Sequence, residues 1–298
     1  MSPSFNSSAK PKLACEIAAD RVFAGRVSER GGMVEMCAAG ELAPGSVVPD
    51  LLEANLRERK GVCDAIRETL DSLNSRSRDV IAVLPDAAVR VMLLDFEALP
   101  AKHEEAEGVI RFRLKKSLPF DLDKAKISYH AQPATSGVRV VAAVALNSVV
   151  EDYESMFVEA GYSPGIVLPS MLAALGAADA DRPTLVVKVD ARTTSIAILD
   201  QNQLLLFRTL ENPRGVTISG EQLAEEVYPS VVFFQDTYKL NLAQIFVAGL
   251  SDTIGAVPAL RSQTGAEVKE LVAASQLGAG AGSIPRWRMA GVVGALLS

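Results

Sequence analysis

Residues 185–208, LVVKVDARTTSIAILDQNQLLLFR, constrain the fold more than any other stretch of the chain. They read as two alternating strands folded back around a polar hairpin tip. The first strand ends in Asp190-Ala191-Arg192-Thr193-Thr194-Ser195, which sets hydroxyls beside an acid.

A chain of 298 residues, 49% of them apolar, can bury a large core and is long enough for two domains. Its formal charge of -6 argues against nucleic acid as a partner, because such a binder shows a basic face to collect phosphates. No apolar run reaches bilayer-spanning length, and MSPSFNSSAKPK at residues 1–12 lacks the hydrophobic core of a signal peptide. A cytoplasmic protein with a disordered leader is expected. Residues 289–297 are apolar but too few to cross hydrocarbon, so a packed terminal helix is expected there. Cys15, Cys37 and Cys63 are odd in number and far apart, which fits buried thiols rather than a disulfide framework or zinc knuckle. His103 and His130 have no second ligand at useful spacing, so no metal site is expected.

Strand patterns at 13–18, 21–28 and 33–39 form a meander with a turn at Gly31-Gly32. Val62, Ile66, Leu70 and Leu73 then recur at helical spacing, and the polar stretch 74–78 closes a first unit over 13–78. A second unit over 79–147 reads β-β-α-β-β: strands at 80–84 and 89–95, a helix at 102–118, strands at 127–131 and 139–146. Ala106, Val109, Ile110, Leu114 and Leu118 share one face of that helix, with acids early and bases late. Asn147 or Ser148 can cap the next helix, which buries Val149, Val150, Tyr153, Phe157 and Ala160. The first domain resumes over 148–180, and the small, acidic, proline-ended stretch 177–183 is the linker. A second domain over 181–284 carries the hairpin, a helix opened by the capping-box pair Ser219 and Gln222 with Pro229 inside it, a strand at 244–248, a loop at 249–252, a helix through Leu260 and a strand at 266–271. Residues 285–298 return to the core as the terminal helix.

This order resembles an actin-like, ribonuclease H-like α/β fold with α+β features: two domains and a small inserted subdomain. More specifically, the chain resembles the PilM family, the FtsA-related cytoplasmic actin-like proteins of type IV pilus assembly. The likeness rests on VIAVLP at 80–85, on Lys115-Lys116-Ser117-Leu118-Pro119-Phe120, on Glu159-Ala160-Gly161-Tyr162, on Ala191-Arg192-Thr193-Thr194, on Phe207-Arg208, and on 226–234 and 245–249.

Relatives that bind ATP offer two phosphate loops of bare backbone and an acid that places magnesium. Here the first loop reads Glu16-Ile17-Ala18-Ala19, with Asp20 adding negative charge. The second aligns two ways. One register puts Lys188 at the expected acid and Asp190 at the expected glycine; the other takes Asp190 as the acid and puts Arg192 at the glycine. The double glycine at the adenosine end becomes Gly249-Leu250, which sets a bulky side chain where the base enters. Only residues 209–220 stand where relatives insert a further nucleotide-closing subdomain. Glu16, Asp20, Lys188, Asp190, Thr194 and Gly249 are therefore read as vestigial nucleotide-site positions, with no catalytic residue and no cofactor expected.

The resemblance implies a non-catalytic scaffold, peripheral to the inner membrane, that docks the cytoplasmic tail of a PilN-like membrane protein in an apolar groove. Phe112 lies off the buried stripe of the 102–118 helix and is open to two readings, an exposed contact or packing against a neighbouring domain. Lys115 and Lys116, with Arg111 and Arg113, face either solvent or an acidic partner or anionic lipid. Phe112, Lys115 and Lys116 are the partner-binding candidates. Two alternatives stand: an ATP-binding switch that uses Glu16, Asp190, Thr194 and Gly249 with magnesium, and the cytoplasmic L-type component of a type II secretion system, whose members continue into a membrane span whereas this sequence stops at Ser298.

Overall fold

The computed structural model describes residues 10–28, 31–134, 136–251, 253–282 and 284–298. Most of the expected leader, and Asp252 of the expected 249–252 loop, lie outside these residues. The chain opens with the meander, β1 (Leu13–Ile17), β2 (Arg21–Val27) and β3 (Val34–Glu41), followed by helix α1 (Arg59–Asp71), which buries Val62, Ile66 and Leu70. Strand β4 (Asp79–Leu84) comes next. The inserted elements are β5 (Arg90–Phe96), α2 (His103–Leu114), β6 (Ala125–Pro133) and β7 (Val138–Leu146). Helix α2 ends a turn before the expected Leu118, and Val109, assigned by spacing to the buried face, is exposed.

Helix α3 (Asn147–Glu159) starts at Asn147 itself, with extended Leu146 before it and no side-chain cap. Neither expected cap operates, because Asn147 is already inside the first turn. Strand β8 (Ser163–Pro169) and short helix α4 (Ser170–Ala174) lead to the second lobe. Residues 185–208 belong to three strands rather than the expected two: β9 (Thr184–Val189), β10 (Thr193–Asp200) and β11 (Gln203–Glu211). A second reversal occurs at Gln201-Asn202, both at positive φ, 49° and 59°, the two-residue turn that asparagine tolerates. Helix α5 (Gly220–Tyr238) begins with the capping box between Ser219 and Gln222. Then come β12 (Gln244–Ala248), α6 (Thr253–Thr264), β13 (Glu267–Glu270), β14 (Leu277–Gly280) and α7 (Ala290–Leu297).

Three sheets result, ordered β14-β3-β2-β1-β4-β8, β11-β10-β9-β12-β13 and β5-β7-β6. Strand β4 runs parallel to both β1 and β8 in the first sheet, so it does not belong to the inserted unit that the 79–147 boundary gave it. Its unbroken apolar run, Val80 to Leu84, is buried throughout, which suits a central parallel strand covered on both faces. Likewise β14 pairs with β3, so the chain rejoins the first sheet before residue 285.

Helices α1 and α3 cover one face of the first sheet, where Ile66, Leu70, Tyr153 and Phe157 pack on Leu13, Cys15 and Ile17. Helices α4 and α7 cover the other face and also meet the second sheet, so that Ala14, Ile81 and Val83 share one core with Met171, Val293, Val186 and Ala197. On its far side the second sheet carries α5 and α6, through Leu223, Val227, Phe234 and Leu260. The three cysteines are buried and free, as their spacing implied. The inserted sheet leans on the second lobe: Gln132 Nε2 donates to the Leu204 carbonyl at 2.7 Å, and the Leu204 N–H donates to Gln132 Oε1 at 3.2 Å. A side-chain amide thus takes the place of a neighbouring strand on the open edge of β11.

Helix α7 is apolar all round because it is enclosed all round, with residues 290–296 buried. Its approach to α4 is set by Gly294, where an added Cβ would lie 2.2 Å from the Ala173 carbonyl oxygen. Gly294→Ala is expected to cost about 1–3 kcal/mol by forcing the two backbones apart, read as a lower urea midpoint. Gly108→Ala on exposed α2, where an added Cβ meets nothing within 4 Å, is the control and leaves the midpoint unchanged or raised.

Candidate functional site

Strands β1 and β4 run parallel in the first sheet, β9 and β12 in the second, and residues at their carboxyl ends line one cleft. Crevices outside the carboxyl ends of parallel strands are where open α/β sheets bind ligands, because loops and helix ends converge there. The cleft measures about 290 Å³, near the lower end for ligand pockets. Its walls include Ala18, Ala19, Ala87, Arg192, Val216 and Trp287.

At its base stands a buried charge cluster. Lys188, 4% exposed, donates from Nζ to both carboxylate oxygens of Asp190 at 2.6 and 2.5 Å, and lies 3.7 Å from Glu16 Oε1. Glu16 Oε1 also accepts from Ser170 Oγ, while Glu16 Oε2 is buried without a hydrogen-bond partner. Behind them Asp86 accepts from the Met171 N–H at 2.7 Å and from Ser195 Oγ at 2.9 Å. Lys188, Asp190 and Ser195 belong to the second lobe; Glu16, Asp86 and Ser170 to the first. The cluster therefore ties the lobes together across the cleft floor.

Burial raises Glu16 to about 6, against the pull of Lys188. Burial likewise raises Asp86 to about 6, with Lys188 again opposing. Burial disfavours the Lys188 cation, but Asp190, Glu16 and Asp86 outweigh it and hold the ammonium above its ordinary pKa. At the cleft mouth, burial pushes Asp20 up, yet hydrogen bonds from Arg288 at 2.9 Å and Arg21 at 3.1 Å prevail and keep it below the usual carboxylate range.

Of the six positions read from the sequence, Glu16, Asp20, Lys188, Asp190 and Gly249 line the cleft and Thr194 does not. Thr194 is buried on the opposite side, accepting from Asn212 Nδ2 at 3.1 Å and donating to Glu226 Oε2 at 3.4 Å. Strand alternation explains this: Thr193 faces the cleft and its neighbour faces away. Leu250 is a second correction. It is 1% exposed, packed in the core of the second lobe, and does not stand at the entrance for a base. Gly249 serves packing, since at φ 76° an added Cβ would fall 1.7 Å from the Val189 carbonyl oxygen, and its N–H donates to the Trp287 carbonyl at 2.7 Å. The short connection after β11 reaches the cleft through Arg214, Gly215 and Val216. Phe112 does not pack against a neighbouring domain but is 73% exposed.

Sequence reading missed Asp86, Ser170, Trp287 and Arg288, and it marked Ser195 only as one of the hydroxyls beside Asp190, not as a partner of Asp86. The signal for Asp86 was present: an acid two residues after a buried strand comes to lie beside the ends of that strand's parallel neighbours. Its relevance depended on β4 lying next to β1, which the inserted-unit assignment obscured. Ala18 and Ala19 put methyl groups on the cleft wall, and a divalent cation entering there would stand beside the Lys188 ammonium already paired with Asp190.

No family model and no curated protein matches the chain. Among solved structures it is similar to a PilM-PilN type IV pilus biogenesis complex, with TM-score 0.77, 19% identity, and 96% of this chain and 98% of that chain covered. It is also similar to a Bacteroides thetaiotaomicron protein with an actin-like ATPase fold and unknown function, with TM-score 0.54, 11% identity and coverage of 86% and 89%. A third is the cytoplasmic domain of EpsL, an inner-membrane component of the type II secretion system of Vibrio cholerae, with TM-score 0.50, 10% identity and coverage of 81% and 85%. The chain thus has an actin-like α/β fold. Within that class its architecture is PilM-like.

The charge cluster makes stability depend on pH in a definite sense. Glu16 and Asp86 are raised from 4.5 and 3.8 to about 6, so the stability they contribute is fully present below about pH 4 and is lost as pH rises through about 6. Lys188→Met removes the cation that opposes this shift and sends both values higher. The variant is expected to lose about 3–5 kcal/mol at pH 8, from uncompensated buried carboxylates, and clearly less at pH 5, where they are protonated. Urea unfolding at the two pH values measures the difference.

Proposed function

We propose that this chain is a non-catalytic, actin-like scaffold at the cytoplasmic face of an inner membrane, working in a type IV pilus assembly complex and docking the cytoplasmic tail of a PilN-like membrane protein. The observation that carries the reading is Lys188, whose ammonium stands among Glu16, Asp86 and Asp190 where an actin-like ATPase would need carboxylates free for metal. A cleft closed by its own ion cluster joins the lobes without nucleotide. The architecture shared with a PilM-PilN complex supports the pilus assignment. Among the described residues, no helix is long and apolar enough to cross a membrane, so attachment through a partner's tail suits the fold.

A groove fit for such a tail separates the inserted sheet from the first lobe. It encloses about 440 Å³ and is lined by Leu84, Ile127, Ala143, Val150, Val167 and Leu168, with Arg111, Lys126 and Glu154 also on its walls. Apolar side chains there would grip an extended peptide, and the charged groups would set its direction. Likeness to the EpsL cytoplasmic domain favours a second reading, the corresponding component of a type II secretion system. Capture of a secretion-type tail in place of a pilus-type tail would select it.

Two measurements test the proposal. Calorimetric titration with a synthetic tail of the PilN-like protein from the same genome is expected to show saturable binding, and Ser128→Trp, which places a bulky ring at an exposed groove position, weakens it at least about tenfold, or roughly 1.4 kcal/mol. In a thermal-shift titration, millimolar magnesium-ATP leaves the melting temperature unchanged. A saturable rise would favour the nucleotide-switch alternative and remove the basis of this reading.

A further inference from the structure

Helix α2 carries, beside the groove, a feature that tail docking does not use. Phe112 is 73% exposed, more than any other large apolar side chain among the described residues, and Val109, one turn earlier on the same helix, is 40% exposed. Arg113, Lys115 and Lys116 surround them and are all exposed. Charge along the helix is polarised: Glu104 and Glu105 occupy the first turn, while Arg111 and Arg113 occupy the last. Two of the acids on the helix pair with other bases. Glu105 pairs with Lys102 and Glu107 with Arg111, whereas Asp121 Oδ1 accepts from the Asp123 N–H. Arg113, Lys115 and Lys116 enter no side-chain ion pair among the described residues, so three cations stand uncompensated on a chain whose formal charge is -6.

The shape of the patch selects its partner. Phe112, Arg113, Lys115 and Lys116 line none of the five cavities described, and Phe112 protrudes rather than sitting in a groove that would seat an acidic peptide. A protruding aromatic ring ringed by long basic side chains suits a soft anionic surface, which the ring can enter while the cations meet headgroup phosphates. We propose that the C-terminal end of α2 is a membrane-contact site for anionic phospholipid, with Phe112 as the apolar wedge and Arg113, Lys115 and Lys116 as the headgroup contacts. The inference rests on the reading that the chain works beside a membrane protein. Arg111, between the wedge and the tail groove, lines that groove, so a bound tail and the bilayer would meet α2 on adjoining sides.

Co-sedimentation of the full chain with vesicles tests this. Binding is expected to vesicles of phosphatidylcholine and phosphatidylglycerol at 3:1 in about 0.1 M salt, to be absent with phosphatidylcholine alone, and to be lost in about 0.5 M salt, because such contacts are screened. Lys115→Glu with Lys116→Glu should lower partitioning at least about tenfold, and Phe112→Ala several-fold. Phe112→Trp, read against Trp287 in the parent, should shift its emission to the blue with anionic vesicles only. Equal weak partitioning on both vesicle types, an unmoved double variant, or binding of a polyglutamate peptide without vesicle binding would each overturn the proposal. Tail titration without lipid is measured separately, so failure of the groove and failure of this surface give different results.

Discussion

A single buried ammonium organises the molecule. Lys188 leaves the second lobe, pairs with Asp190 and approaches Glu16 of the first lobe, with Asp86 beyond. Burial penalises the charge of these carboxylates and their mutual repulsion adds to it, so Glu16 and Asp86 are raised to about 6 even with the cation present. Without it they would drive the lobes apart. With it, Ser170 and Ser195 can add neutral hydrogen bonds that cross the same boundary. A cluster of this kind is weak evidence for added stability over an apolar core, but it specifies one lobe arrangement, since any other leaves charge buried without a partner.

Helix α7 complements this lock. With α4, the enclosed helix packs between the two sheets and merges their cores. Gly294 permits the close approach to α4, and Gly249 permits the β12 loop to lie on the end of β9. The inserted sheet is held by polar contacts such as Gln132 with Leu204 and Arg139 with Tyr238 at 2.7 Å, and by Leu93 and Val141, which pack against the shared core. That attachment leaves the apolar groove open on the other side, which is the geometry a docked peptide requires.

Much of the architecture was legible because it is periodic. The meander, α1, the capping box at Ser219 and the apolar terminal helix follow from spacing and local hydrogen bonding, which neighbouring residues dictate. Errors fell where a strand's partner is distant in sequence. Strand β4 looked like the start of the inserted unit because its own residues cannot report that β1 and β8 flank it. Strand β14 is short and glycine-containing, so it carries little pattern at all. In the site, Lys188 and Asp190 were both marked, but as rival alignments; the structure makes them partners. Thr194 was misplaced because a single residue of register decides which face of a strand it occupies.

The sequence by itself determined the class of fold, the presence of an inserted unit, the alanine loop, and a lysine at a position where an acid was expected, since each depends on residue type or local period. Tertiary structure alone decided that this lysine is enclosed by acids from two lobes, that Leu250 belongs to the core, and that Phe112 stands in solvent. Those outcomes depend on which surfaces meet, and the energy of a buried charge or an exposed ring is set by neighbours far away along the chain.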